Sequence, residues 1–176
     1  MTRYAVFLRG VNVGGVNLKM AEVAEALTAA KFAEVRTILA SGNVVLESRA
    51  GADAVRSNAE TALRQRFGYD AWVLVYPLEK VRAIVDAYPF EPELDGYQSY
   101  VTFVSDTDVL DELAALADQA GADEKIARGS DSAGVIYWQV PKNQTLDSTI
   151  GKTMGKKRYK ASTTTRNLRT LAKVLR

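Results

Sequence analysis

The chain has 176 residues, 47% hydrophobic and 25% charged, with a formal net charge of +2 at pH 7; this suffices for one ordinary domain, or two small ones, that fold without disulfides or metals. It contains no cysteine and no histidine, which excludes a disulfide framework, a thiolate nucleophile, zinc–thiolate and imidazole metal sites, and the commonest general base near neutral pH. The net charge hides an asymmetry: residues 1–151 carry 14 Lys and Arg against 21 Asp and Glu, whereas residues 152–176 carry nine Lys and Arg and no acid.

In chain order, a strand-like run over residues 3–9 leads into the loop Arg9-Gly10-Val11-Asn12-Val13-Gly14-Gly15. The helix expected over residues 18–30 sets Met20, Val23, Leu27 and Ala30 at three- and four-residue spacing, with Asn17 as its N-cap. Strand-like runs over 35–40 and 44–47 are joined by Ser41-Gly42-Asn43, a hairpin signal. A second helix over 54–67 places Val55, Ala59, Leu63 and Phe67 on one stripe, with Asp53 as its cap and Gly68 as its end. A strand over 71–76 completes the order βαββαβ, that of a ferredoxin-like split βαβ unit.

Pro77 opens the second half. A helix is expected over 78–87, a loop over 89–96, a strand over 99–104, a helix over 109–120 stopped by Gly121, and a hairpin from 123–127 and 135–140. Two further helices are expected over 144–153 and 163–175, with a basic loop between them. The reading is an α+β fold of two related ferredoxin-like subdomains with antiparallel sheets, residues 1–76 and 77–176, the second carrying C-terminal helices and the basic tail. Trp72, Trp138, Tyr137 and Phe103 suit strand cores. The sequence has neither a signal-peptide pattern nor an apolar run long enough to span a bilayer, so a cytoplasmic protein without a membrane partner is expected. It calls for no cofactor, and any metal would be a hard ion held by oxygens.

Three segments are candidate sites. In the first loop, glycine lets a ligand approach the main chain closely, and the helix start beyond it supplies unpaired N–H groups. Gly10 and Gly15 match the outer glycines of a phosphate-binding P-loop, but Val16-Asn17 stand where that motif needs lysine and a hydroxyl residue. The same glycines suit a plain tight turn. Arg9 and Asn12 favour binding, because a guanidinium at a strand end recognises carboxylate or phosphate. In the second segment, Ser41 lacks a histidine, leaving Lys19 as its candidate activator; an ordinary hairpin turn explains Ser41 and Asn43 as well. The third segment is Thr163-Thr164-Thr165-Arg166-Asn167, read as a capped helix start that either binds phosphate or presents a solvated basic face. Before it, Lys156-Lys157-Arg158-Tyr159-Lys160 could grip a nucleic-acid backbone, with Tyr159 stacking on a base. Glu91, Glu93 and Asp95 read as solvated loop acids.

Arg9-Gly10-Val11-Asn12-Val13-Gly14-Gly15, Lys19-Met20, Ser41-Gly42-Asn43-Val44-Val45 and Thr164-Thr165-Arg166-Asn167 together resemble a bacterial family known only as domain of unknown function 1697. The resemblance runs from the first strand to the last helix. It implies a compact cytoplasmic protein with two ferredoxin-like subdomains, and no activity is established for the family. It carries over Arg9, Asn12, Gly14, Gly15, Lys19, Ser41, Asn43, Thr165, Arg166 and Asn167. Lys31, before Phe32, departs from the family's usual glycine at the end of the first helix.

The leading expectation is a protein, possessing an enzymatic activity or not, that binds an anionic small molecule. Arg9 and Arg166 would be charge partners, Gly14 and Gly15 amide donors, and Asn12, Asn43 and Thr165 orienting groups. Arg9→Ala and Arg166→Ala should then abolish binding at nearly unchanged melting temperature, and a large stability loss would mark them as structural. The alternatives are a nucleic-acid-binding module led by residues 152–176 and a protein-interaction scaffold.

Overall fold

The structure, a computed structural model, describes residues 1–9, 17–39, 42–130 and 133–176. The chain divides into two compact units, one of Met1–Arg82 with Ala172–Arg176 and the other of Ala83–Leu171. Among the described residues no helix is long and apolar enough to cross a membrane.

The first unit contains β1 (Thr2–Arg9), α1 (Met20–Ala29), β2 (Ala33–Ile38), β3 (Asn43–Ser48), α2 (Ala52–Phe67) and β4 (Trp72–Pro77). The strands form one antiparallel sheet in the order β2-β3-β1-β4. Alternate residues point to opposite faces. Val6 and Leu8 of β1, Val44 and Leu46 of β3 and Val73 of β4 therefore share one face. They form a single core with Val23 and Leu27 of α1 and Val55, Ala59 and Leu63 of α2. These are the helix stripes that the spacing predicts.

The caps differ from expectation. Lys19, not Asn17, takes the N-cap position of α1, without a side-chain bond. Gly51 stands at the N-cap of α2 and Asp53 lies in its first turn, where a carboxylate still complements the helix dipole. Gly68 ends α2 as predicted, at φ 67°. Helix α2 also covers the open edge of β4: Glu60 Oε2 accepts from Val73 N–H at 3.0 Å, and Arg64 Nε donates to Ala71 O at 3.1 Å. Spending these backbone groups protects an edge strand from foreign pairing.

Helix α3 (Leu78–Asp86) follows β4 directly. The second unit then contains β5 (Tyr97–Val104), α4 (Thr107–Ala115) with a 3-10 turn over Leu116–Gln119, β6 (Lys125–Arg128), β7 (Val135–Pro141), α5 (Thr149–Met154), α6 (Lys157–Lys160) and β8 (Thr163–Asn167). Helix α7 (Leu168–Val174) closes the chain. The second sheet is also antiparallel, in the order β6-β7-β5-β8. The two units thus share βαββαβ order and strand arrangement, consistent with the ferredoxin-like reading. Val104, Ile136, Trp138 and Val140 pack with Val109, Leu110 and Leu113 of α4 and Ile150 of α5.

The expected helix over 163–175 is corrected. Its first five residues are β8, paired with β5 from Tyr100↔Asn167 to Val104↔Thr163. Three successive threonines are stiff at χ1 and suit a pleated strand better than a helix. The helix starts only after Asn167, whose Oδ1 accepts from Thr170 N–H at 2.8 Å. The helix expected over 144–153 is likewise shortened, because Ser148 caps it by accepting from Gly151 N–H at 3.1 Å. The basic segment is therefore no loose tail: it supplies a strand of the second sheet. Its last residues, Ala172–Arg176, belong to the first unit, within which Arg36 Nη2 donates to Val174 O and Arg176 O and Arg82 Nη2 to Leu175 O.

Candidate functional site

Strand β1 is antiparallel to both β3 and β4, so its C-terminal end meets the beginnings of both. Phe7 faces Asn43 in register, Leu8 N–H donates to Gly42 O at 2.8 Å, and Arg9 faces Trp72. The strand end that feeds the glycine-rich segment and the β2–β3 hairpin tip consequently lie at the same end of one sheet. The sequence left that arrangement open. Asn12, Gly14, Gly15 and Ser41 lie outside the described residues, as does Gly10.

Arg9 is only partly exposed, and burial pushes its guanidinium below its ordinary pKa. Its Cζ lies 5.9 Å from the centroid of the Trp72 ring. The same ring receives a second cation: Arg56 Cζ, from α2, is 5.8 Å from that centroid. Both distances fall within cation–π range. Arg9 reaches the indole from the neighbouring strand, and Arg56 from the helix that covers the sheet edge. Arg56 also donates through Nε to Glu60 Oε2 at 3.3 Å. Further along β4, Tyr76 lies 6.3 Å from the Phe7 ring and carries Lys80 Nζ 5.4 Å above its own ring. Burial pushes the Tyr76 phenol up to about 12, with the charge of Arg56 pulling it the other way. The sequence suits Trp72 to a strand core and does not single out Arg56. The only signal of Arg56 was its i,i+4 spacing to Glu60, which any helix surface shows.

The other predicted residues separate. Lys19 is exposed at the start of α1. Asn43 is fully buried, and its Nδ2 donates to Ile38 O at 2.9 Å across the hairpin. In the second unit, strand alternation sends Thr165 and Arg166 to opposite faces of β8. Thr165 Oγ1 shares a 2.7 Å hydrogen bond with Thr102 Oγ1, which also accepts from Trp138 Nε1 at 2.8 Å. Arg166 is 8% exposed and donates to Thr164 Oγ1 at 2.6 Å and to Thr165 O at 2.9 Å. Asn167 caps α7 through its side-chain oxygen. Of the basic run, Lys156 and Lys157 are exposed, whereas Arg158 grips both carboxylate oxygens of Glu112 at 2.9 and 3.0 Å. Tyr159 packs against the core of the second unit. Among the described residues no cluster of acids could hold a metal ion.

The fold matches a solved structure, that of the conserved bacterial protein SP0830 from Streptococcus pneumoniae. The two share 24% sequence identity, with a TM-score of 0.79 over 98% of this chain and 96% of that one. No curated protein matches the sequence. A family model described as "protein of unknown function (DUF1697)" matches residues 1–133. That match takes in β1, the glycine-rich segment, the hairpin and both cations over Trp72, and the chain belongs to the DUF1697 family.

Proposed function

We propose that the protein binds a small phosphate- or carboxylate-bearing ligand at the end of the first sheet, where β1 leads into the glycine-rich segment. The observation that carries this reading is Arg9. Its guanidinium is partly buried at a strand end, held over an indole, and under-solvated. A cation in that state gains more from an arriving anion than a fully hydrated one, because the local dielectric is low and less water must be displaced. Asn12 and the amides of Gly14 and Gly15 are the further donors of this reading, with Lys19 beyond them. Its contacts come from the first unit alone. Arg166 and Thr165 are engaged within their own strand and sheet.

The test is a calorimetric titration of the full chain at low salt with inorganic phosphate and citrate, comparing wild type with Arg9→Gln. Binding by wild type that disappears in Arg9→Gln, with an unchanged circular dichroism spectrum and melting temperature, is expected. Equal binding by both proteins refutes the role of Arg9.

A further inference from the structure

We propose that the second unit carries a site for a small zwitterion, a molecule bearing both a carboxylate and an ammonium group, in a cleft at the start of β5. The proposal is independent of the Arg9 reading, since every residue it uses lies within Ala83–Leu171. The sheet order β6-β7-β5-β8 puts β5 between β7 and β8, and both neighbours run antiparallel to it. The start of β5 therefore meets the ends of both: Tyr97 faces Pro141, and Tyr100 faces Asn167. Lys142 follows β7, and Arg169 follows β8 into α7, so the start of β5 has a cation on each side. Neighbouring strands lie about 4.8 Å apart, which sets the two backbones that carry these cations about 10 Å apart. The loop leading into β5 closes the third side with Glu93 and Asp95. Together the four side chains and Tyr97 line one cleft of about 100 Å³. Backbone bonds hold its rim: Lys142 N–H donates to Gly96 O at 2.9 Å, and Tyr97 N–H to Leu94 O at 3.1 Å.

Two positive and two negative side chains thus surround one small volume without engaging one another. Among the described residues Glu93, Asp95, Lys142 and Arg169 make no ion pair and no side-chain hydrogen bond. Elsewhere in the same unit exposed charges do pair, Arg128 with Asp111 and Arg158 with Glu112. The balance of signs selects the ligand. A simple anion would meet two carboxylates along with its two cations, and a simple amine two cations along with its carboxylates, so each loses much of its Coulomb gain. A zwitterion answers both signs. Its carboxylate takes the planar fork of Arg169 and the ammonium of Lys142, and its own ammonium takes Glu93 and Asp95. The volume of the cleft suits a molecule the size of a small free amino acid.

Titrating the full chain, labelled with nitrogen-15, with L-alanine, acetate and methylammonium at low salt tests the proposal through amide NMR shifts. L-Alanine should move the amides of residues 93–99, 142 and 169 saturably. It should bind about tenfold tighter than acetate or methylammonium, because it alone is held by charge-assisted bonds of both signs. Arg169→Gln and Glu93→Gln should each weaken alanine binding about tenfold, the worth of one such bond, at unchanged melting temperature. Arg9→Gln should leave it unchanged. Equal affinity for all three probes overturns the zwitterion assignment. Alanine affinity unaltered in both Arg169→Gln and Glu93→Gln, or shifts centred away from the start of β5, overturns the site. Absence of any shift with L-alanine overturns it as well, and leaves the Arg9 proposal untouched.

Discussion

Lys31 occupies a backbone position built for glycine. Helix α1 ends in a Schellman arrangement: Lys31 N–H donates to Thr28 O at 3.0 Å and Phe32 N–H to Leu27 O at 3.2 Å. The residue between helix and strand must then be left-handed, and Lys31 has φ 76°. Phe32 and Leu27, whose contact accompanies this motif, belong to the same core. A left-handed conformation costs a residue with a Cβ about 1–2 kcal/mol. Glycine avoids that cost but loses about 0.5–1 kcal/mol through its greater freedom when unfolded. Lys31→Gly should therefore stabilise the first unit by about 0.5–1 kcal/mol, raising its melting temperature by about 2 °C. Lys31 is exposed, so Lys31→Ala, which keeps a Cβ in the same conformation, should leave the melting temperature nearly unchanged. Thermal denaturation followed by circular dichroism at pH 7 distinguishes the two variants. A melting temperature for Lys31→Gly equal to or below that of wild type, or the same gain in Lys31→Ala, refutes the reasoning.

A Cβ at Gly151 would sit 1.8 Å from Thr145 O and 2.8 Å from Ser148 Oγ; Gly151→Ala should cost more than about 2 kcal/mol, read as a lower urea midpoint. Arg166→Ala removes a buried guanidinium from β8 and strips Thr164 Oγ1 of its donor, so it should lower stability by about 2 kcal/mol instead of leaving the melting temperature unchanged. Burial acts to raise the pKa of Glu124, but hydrogen bonds from Thr149 N–H, Thr149 Oγ1 and Gly121 N–H, with the charge of Lys152, outweigh it and hold it below its ordinary 4.5. A lowered folded pKa adds stability above the unfolded value that is lost as pH falls through the folded one. The melting temperature should thus drop less steeply below pH 4.5 in Glu124→Gln than in wild type; parallel profiles would refute this.

What is local or periodic in this fold can be read from the residues alone. The stripes Val23/Leu27 and Val55/Ala59/Leu63 placed α1 and α2, Gly68 ended α2, and the order of elements in the first half pointed to a split βαβ sheet. The absence of cysteine and histidine narrowed the chemistry before any geometry was known. Local signals misled where they were ambiguous. Thr163-Thr164-Thr165 contains good capping residues, but pairing with β5 uses their stiff, branched side chains as a strand. Residues 152–176 read as a basic tail because charge along a chain says nothing of pairing, yet they contribute β8 to the second sheet.

Which distant residues meet depends on strand register and on how the helices cover the sheets. Asn43 turned out to be a buried hairpin lock, and strand alternation separated Thr165 from Arg166. The indole of Trp72 drew in Arg9 from 63 positions earlier and Arg56 from a helix face. No spacing encodes that meeting, because it depends on the antiparallel register of β1 with β4 and on α2 folding over the edge of the sheet.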